Sequence, residues 1–316
     1  MSDREKCPAF KTSIGGQALM EGILMRGPEK EAIVVRKPDG TLEEKVESVA
    51  SPKDKFAPFG WPIIRGSVNF VDTMIKGVKA LTYSASFLPE EEDAEPDKVD
   101  KWIEKHFTAE KAQKIIIGVS VVIGLVVSVG LFILLPTILA GLFYNAMESR
   151  ILRNLIEGVI RIVIFLLYMI LASKMKEIKR VWMYHGAEHK TIFCYEAGLP
   201  LTVENAKIQP RLHPRCGTSF MIIVMVVSIL VFSVVNVESV WLRMALRLAL
   251  LPVTVGISYE LIKYAGRHDN WFTRIISAPG KALQLITTKE PDDDMLEVAI
   301  RSLELVKPEV AGSDAW

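Results

Sequence analysis

Three of the chain's five histidines and two of its three cysteines fall in one stretch, YHGAEHKTIFCYEAGLPLTVENAKIQPRLHPRCGTSF, from Tyr184 to Phe220. Within it, His185-Gly-Ala-Glu188-His189 has the order H-x-x-E-H. On a helix, residues four apart share a face, so both imidazoles can point at one ion with Glu188 on the flank. In zinc hydrolases with this order, two histidines bind the metal and the carboxylate is general base to water. A third ligand would come from His213 or Cys216 in HPRC, both ligand types, spaced H-x-x-C. Alone, H-x-x-E-H is a short pattern, and a basic helix flank around His189-Lys190 would produce it without a metal. The nearby HPRC raises metal chemistry above that reading.

Hydrophobic residues make up 50% of the 316-residue chain, above ordinary soluble usage, and the formal net charge is +1. No nucleic-acid partner is expected, because the basic residues cluster in short connections and not on a single basic face. The cysteine count is odd, with no paired framework, so all three are read as reduced. The N-terminal MSDREKCPAFKTS has no apolar core and does not read as a signal peptide.

The elements that must position the histidines follow from periodicity. Residues 13–28, SIGGQALMEGILMRGP, read as a packed turn, or a short helix or strand bracketed by Gly15-Gly16 and Gly27-Pro28. Ala32 to Arg36 and Leu42 to Val49 read as two edge strands joined at Asp39-Gly40. Residues 62–87 place apolar residues at helical spacing with Arg65, Asp72, Lys76 and Lys79 between them, an amphipathic helix on the membrane surface or against the histidine helix. An acidic linker, PEEEDAEPD, follows.

Four spans are expected: Ile115–Leu139, Ile151–Ser173, Ser219–Val237 and Met244–Tyr264. Glu157 and Arg161 can pair at membrane depth, and Glu260 either serves the site or accepts hydrogen bonds within the bundle. Lys and Arg concentrate before the first span, between the second and third, and after the fourth, which puts both termini and the HGAEH…HPRC connection in the cytosol. His268 lies at that same face, and Asp292–Asp294 open an amphipathic C-terminal helix. The fold class is therefore mainly α membrane protein, in three parts. Residues 1–113 are a cytosolic N-terminal region, 114–265 the transmembrane region with the metal-site connection 174–218, and 266–316 cytosolic helices.

IGGQALMEGILMRGP, YHGAEHKTIFCYE, HPRCGTSF and SAPGKALQLITTKEPDDDMLEVAI together resemble the bacterial YqhQ-like membrane proteins. That family is the domain of unknown function 1385, described as predicted metal-dependent enzymes, and the resemblance runs from about residue 13 to 303. It implies a multi-pass protein of the bacterial inner membrane and supplies no reaction. Its motifs raise Glu21, Arg26 and Arg215 to functional candidates.

The expected function is a membrane metalloenzyme, hydrolase-like, with a divalent ion, zinc first, held by His185, His189 and Cys216 or His213. Glu188 would take the proton from water, and Arg26 or Arg215 would hold an anionic group. If all four ligands bind at once the coordination sphere is full, and the protein is a scaffold with a metal clasp. A small transporter is the third class, suggested by the charges at membrane depth.

Overall fold

The computed structural model describes residues 10–49, 56–88, 109–142, 149–233, 237, 239–268, 270–310 and 312–315. The acidic linker, Cys7 and His106 lie outside these. The chain divides into two compact units, Met1–Leu88 with Tyr168–Val231 and Leu248–Trp316, and Pro89–Leu167 with Phe232–Arg247.

The first unit contains a four-stranded antiparallel sheet, β1 (Gly15–Leu19), β2 (Gly22–Arg26), β3 (Lys30–Arg36) and β4 (Leu42–Ser48), in that spatial order. The Asp-Gly hairpin joins β3 to β4, with Gly40 at φ 83° and the Asp39 carboxylate accepting from the Thr41 backbone N–H at 2.9 Å. Residues 13–28 are not a packed turn. They form a second hairpin, paired from Gly15 with Arg26 to Leu19 with Gly22. No alternation marked it because Gly22, Ile23, Leu24 and Met25 are all buried, as in a strand covered on both faces.

Ten α-helices are described: α1 (Ile64–Ala85), α2 (Ala109–Val129), α3 (Leu135–Leu142), α4 (Arg150–Ala172), α5 (Lys176–Glu196), α6 (Val203–Lys207), α7 (Gly217–Ser233), α8 (Val240–Arg267), α9 (Trp271–Thr287) and α10 (Asp293–Val306). A π-helical turn, Gly130–Leu134, joins α2 to α3. Among the described residues, three stretches are long and apolar enough to cross a membrane: Ile115–Leu142, Leu152–Ala172 and Trp241–Arg267. The remaining expected span lies in α7, an apolar helix of 17 described residues.

The sheet of the first unit is covered on both sides. Ile23, Met25, Ala32 and Val34 pack against Leu296, Ala299 and Leu303 of α10 and Tyr184 and Ala187 of α5. Leu19 and Leu24 pack against Ala80 of α1 on the other face. The first turn of α10 carries Asp293 and Asp294, where the helix dipole favours carboxylates. α9, which no periodicity announced, starts with a capping box between Asn270 and Thr273.

In the second unit, Glu157 of α4 accepts from Thr137 Oγ1 (2.8 Å), Arg161 (3.3 Å) and Nη2 of Arg247 (2.9 Å). The expected Glu157–Arg161 pair forms, and α8 adds a second arginine to it. Both guanidinium groups lie over the Phe232 ring, at 5.6 and 5.5 Å.

In the first unit, α5 is held by the strap that follows α9. The Lys289 backbone N–H donates to the Trp182 carbonyl at 2.8 Å, and a Cβ on Gly186 would stand 2.0 Å from the Lys289 oxygen. Only glycine admits that approach. Gly186→Ala is expected to cost about 1–3 kcal/mol by overpacking, read as a lower thermal unfolding midpoint in detergent. Gly118→Ala, whose Cβ meets open space, should leave the midpoint unchanged or slightly raised.

Candidate metal centre

The H-x-x-E-H segment lies in the middle of α5, where every residue from Tyr184 to Ile192 is buried. One ligand atom each from His185, His189 and Cys216 lie within 4.8 Å of one another. Spacing on α5 brings the two rings together, with centroids 4.4 Å apart. Cys216 arrives from the residue before α7, and its Sγ lies 3.0 Å from His185 Nε2.

The tautomers follow from the partners of the other ring nitrogens. His185 Nδ1 lies 2.8 Å from the Thr287 carbonyl oxygen, and His189 Nδ1 lies 2.5 Å from that of Arg211. A carbonyl only accepts, so both Nδ1 atoms carry hydrogen and donate. The Nε2 atoms therefore face the cluster, and an ion bound there would take their lone pairs in place of any proton, the arrangement in which a backbone acceptor orients an imidazole for a metal. His189 is 1% exposed, and its Nε2 has no hydrogen-bond partner. The buried Oε2 of Glu188 also has none, while its Oε1 accepts from the Gly16 backbone N–H at 3.0 Å. An orphaned buried polar atom costs about 1–3 kcal/mol. Two such orphans beside a nitrogen–sulfur donor set fit a divalent cation of the zinc type.

The electrostatics are those of a buried ligand set. Burial works against charge on His185, yet the adjacent Cys216 outweighs it and lifts the imidazole to about 9. Burial would raise the Cys216 thiol, but His185 and His189 pull it well below the ordinary range. Glu188 is raised above the usual carboxylate range by burial, partly opposed by the two histidines. Raising a carboxylate in this direction makes it a stronger base, as proton transfer requires.

His213 is close but engaged elsewhere. Its ring centroid is 5.6 Å from that of His189, its Nδ1 accepts from the Arg215 backbone N–H (3.3 Å), and its Nε2 faces Glu196 at 3.6 Å. Gln284 clamps its backbone, accepting from the N–H and donating to the carbonyl at 2.8 Å each. With Nδ1 used as an acceptor, no lone pair is left for the cluster. Arg215 pairs with Glu196, whose Oε1 also accepts from the Thr12 backbone N–H at 2.9 Å.

A cavity of about 90 Å³ adjoins the cluster, lined in part by Gly16, Glu188, His189, Cys216, His213 and Arg215. Across Gly15-Gly16 lies a larger one, of about 270 Å³, with Arg26, Glu31, Thr73 and Lys76 on its walls. Arg26 pairs with Asp72 at 3.5 Å and stands in the outer cavity. Glu21, in the β1–β2 turn at φ 49°, accepts from Arg180 and from Tyr184 and is not part of either lining. Glu260 accepts from Arg65 Nε at 2.7 Å, the structural of its two expected roles. His268 bonds to the Tyr264 carbonyl, away from the cluster. Sequence reasoning did not assign Gly16, Glu196 or the carbonyls of Thr287 and Arg211. Gly16, Glu196 and Thr287 fall inside the motifs quoted above, but their residue types did not mark them as partners of the site.

Residues 61–309 match the family described as "Protein of unknown function (DUF1385)". The chain is 34% identical over 306 residues to the "Uncharacterized protein YqhQ" of Bacillus subtilis (strain 168), covering 96% of this chain and 93% of that one. No solved structure matches.

Burial is the largest influence on His213 and holds it down to about 4 against an ordinary 6.5, Glu196 opposing. Between those values the unfolded chain binds a proton that the folded chain refuses. Stability is therefore lost as pH falls through that window, by at most about 1.4 kcal/mol per unit. In chelator-treated protein in detergent, the thermal midpoint is expected to drop from pH 7 to pH 5, and His213→Gln should flatten the drop. An unchanged slope in the variant would assign the acid sensitivity to other groups.

Proposed function

The chain belongs to the DUF1385 family, and from that footing we propose that it is a membrane metalloenzyme, hydrolase-like, whose zinc-type ion sits on His185, His189 and Cys216. The observation that carries this reading is the pairing of two things: three convergent donors, and a buried Glu188 oxygen without a partner facing the same small cavity. When bound, the ion supplies Lewis acidity that polarises an acyl oxygen and makes water a stronger acid. The chain's residues do the rest. Thr287 and Arg211 hold both imidazoles with Nε2 inward. Gly16 fixes Glu188 through one oxygen and leaves the other free to take a proton. Arg215, held at the cavity wall by Glu196, places positive charge where an oxyanion would form.

A metal clasp would use a fourth protein ligand, for which His213 is the candidate that the H-x-x-C spacing offers. Its two ring nitrogens are turned to Arg215 and Glu196, which favours the enzyme over the scaffold. Burial of the site within α5 also favours chemistry that needs water controlled. The distribution of Lys and Arg around the apolar helices supports a cytosolic site in a bacterial inner membrane, with lipid as the surrounding partner.

The test is metal binding with cobalt(II) as probe, measured alongside cellular function. Wild-type protein is expected to show a thiolate-to-cobalt charge-transfer band, lost in Cys216→Ser and in His189→Ala but retained in His213→Ala. Glu188→Gln is expected to keep the band and lose turnover by about 10²–10⁴-fold, read first as failure to complement a deletion strain. A functional Glu188→Gln protein would refute the enzyme and favour the clasp. Absence of the cobalt band in the wild type would refute the metal site itself.

A further inference from the structure

Helix α1 is amphipathic the wrong way round for a helix in water. Its buried side, Gly66, Gly77, Ala80 and Ser84, packs on the sheet and on α8. Three of its charged residues lie on the flanks and are neutralised there, Arg65 by Glu260, and Asp72 and Lys76 by each other and by Arg26 and Glu31, while Lys79 is exposed towards the C-terminal end. What remains is an apolar arc at helical spacing: Ile64, Phe70, Val71, Met74, Ile75 and Leu81. Val71, Met74 and Ile75 are 54%, 54% and 53% exposed. A contiguous apolar face of that kind marks a surface that something covers.

What covers it follows from where α1 is seated. Ser67 Oγ donates to the Pro252 carbonyl at 2.5 Å, Asn69 Nδ2 donates to the Tyr259 hydroxyl at 3.1 Å, and Arg65 grips Glu260. A Cβ on Gly66 would lie 2.9 Å from the Gly256 Cα, and one on Gly256 would lie 2.4 Å from the Ile63 carbonyl oxygen. Small residues let two backbones approach in this way in membranes. Ile63 sits at φ 69°, a strained conformation for a β-branched residue, at this contact. Residues 252–260 of α8 lie well inside the candidate span Trp241–Arg267. A helix fastened along the flank of a spanning helix shares its depth, and its outward face meets what that flank meets. The exposed Leu248 and Val253 of α8 are themselves apolar.

We propose that α1 is a membrane-embedded helix docked on α8, with its Ile64, Val71, Met74 and Ile75 face against lipid acyl chains. The cavity of about 270 Å³ lies on the polar side of α1, at Thr73 and Lys76, and reaches Gly15-Gly16 beside the Glu188 cavity. A substrate anchored in the bilayer is thereby able to present its polar part to the site. This last step rests on the metalloenzyme reading, whereas the lipid contact of α1 does not.

The experiment uses the full chain in nanodiscs, with a genetically encoded fluorescent amino acid at Val71, Met74 or Ile75. Brominated phosphatidylcholine quenches from the acyl region and iodide from water. The expected result is loss of most of the signal in brominated lipid, as deep as at the exposed Val126 of α2, with iodide inert. Quenching by iodide alone, as at the exposed Glu47 of β4, would overturn the proposal. Protection from both quenchers would also overturn it, since protein would then cover the face. To keep the test independent of how each variant folds, the wild-type chain is labelled in parallel with a diazirine-bearing phospholipid. Adducts within residues 70–75 support the proposal, and adducts on α2 without any on α1 overturn it. Metal content measured in the same samples separates this outcome from that of the ion site.

Discussion

A polar helix buried on nearly all sides governs this structure. From Tyr184 to Glu196, α5 carries two histidines, two glutamates, a lysine and a threonine, and the site-bearing side chains among them lie inside the first unit. Burying such groups without partners is costly, so the surrounding segments are arranged to supply them. The loop before α7 brings the Arg211 carbonyl to His189 and the carbonyls of Lys207 and Gln209 to Lys190. The end of α9 brings the Thr287 carbonyl to His185, and β1 brings the Gly16 N–H to Glu188. Segments far apart in the chain are thus tied to one helix by its own unsatisfied chemistry.

The exceptions to that satisfaction are informative. His189 Nε2 and Glu188 Oε2 are buried without partners, and both line the small cavity through their residues. Lys190 on the same helix obtains two backbone carbonyls at long range, so a shortage of nearby polar backbone does not explain these two. Thr191 Oγ1 and Glu196 Oε2 are also buried without a hydrogen-bond partner, but neither residue belongs to the ligand cluster. The position of His189 Nε2 and Glu188 Oε2 beside His185 Nε2 and Cys216 Sγ accounts for them as groups whose partner is a cation and the water or substrate it handles.

Charges placed in apolar surroundings recur in both units with the same solution, a carboxylate gripped bidentately by arginine. Glu157 with Arg161 and Arg247 does this among the helices of the second unit. Glu260 with Arg65 does it in the first, where the pair joins α1 to α8. Bidentate arginine geometry offsets desolvation better than lysine would, which suits pairs away from water. In the first unit the pair also fixes α1 so that its remaining apolar face points outward.

Local pattern by itself determined what depends on neighbours in the chain. The i,i+4 spacing of His185 and His189 makes them share a helix face wherever that helix goes, and Asp39-Gly40 sets a hairpin through its own backbone preferences. The long uncharged runs fix themselves as helices suited to a bilayer, because a helix satisfies its backbone hydrogen bonds within one segment. Packing between distant segments decided the rest. Both His213 and Cys216 read as ligands, and only the Gln284 clamp and the Glu196–Arg215 pair turn His213 aside while Cys216 meets His185. The β1–β2 hairpin was hidden because β2 is buried almost along its length and shows no alternation, and because Gly16 answers to Glu188, a contact 172 residues away. Glu21 and Arg26 shared one motif, yet the fold sends one to Arg180 and the other to the outer cavity, since successive turns and strands face different neighbours.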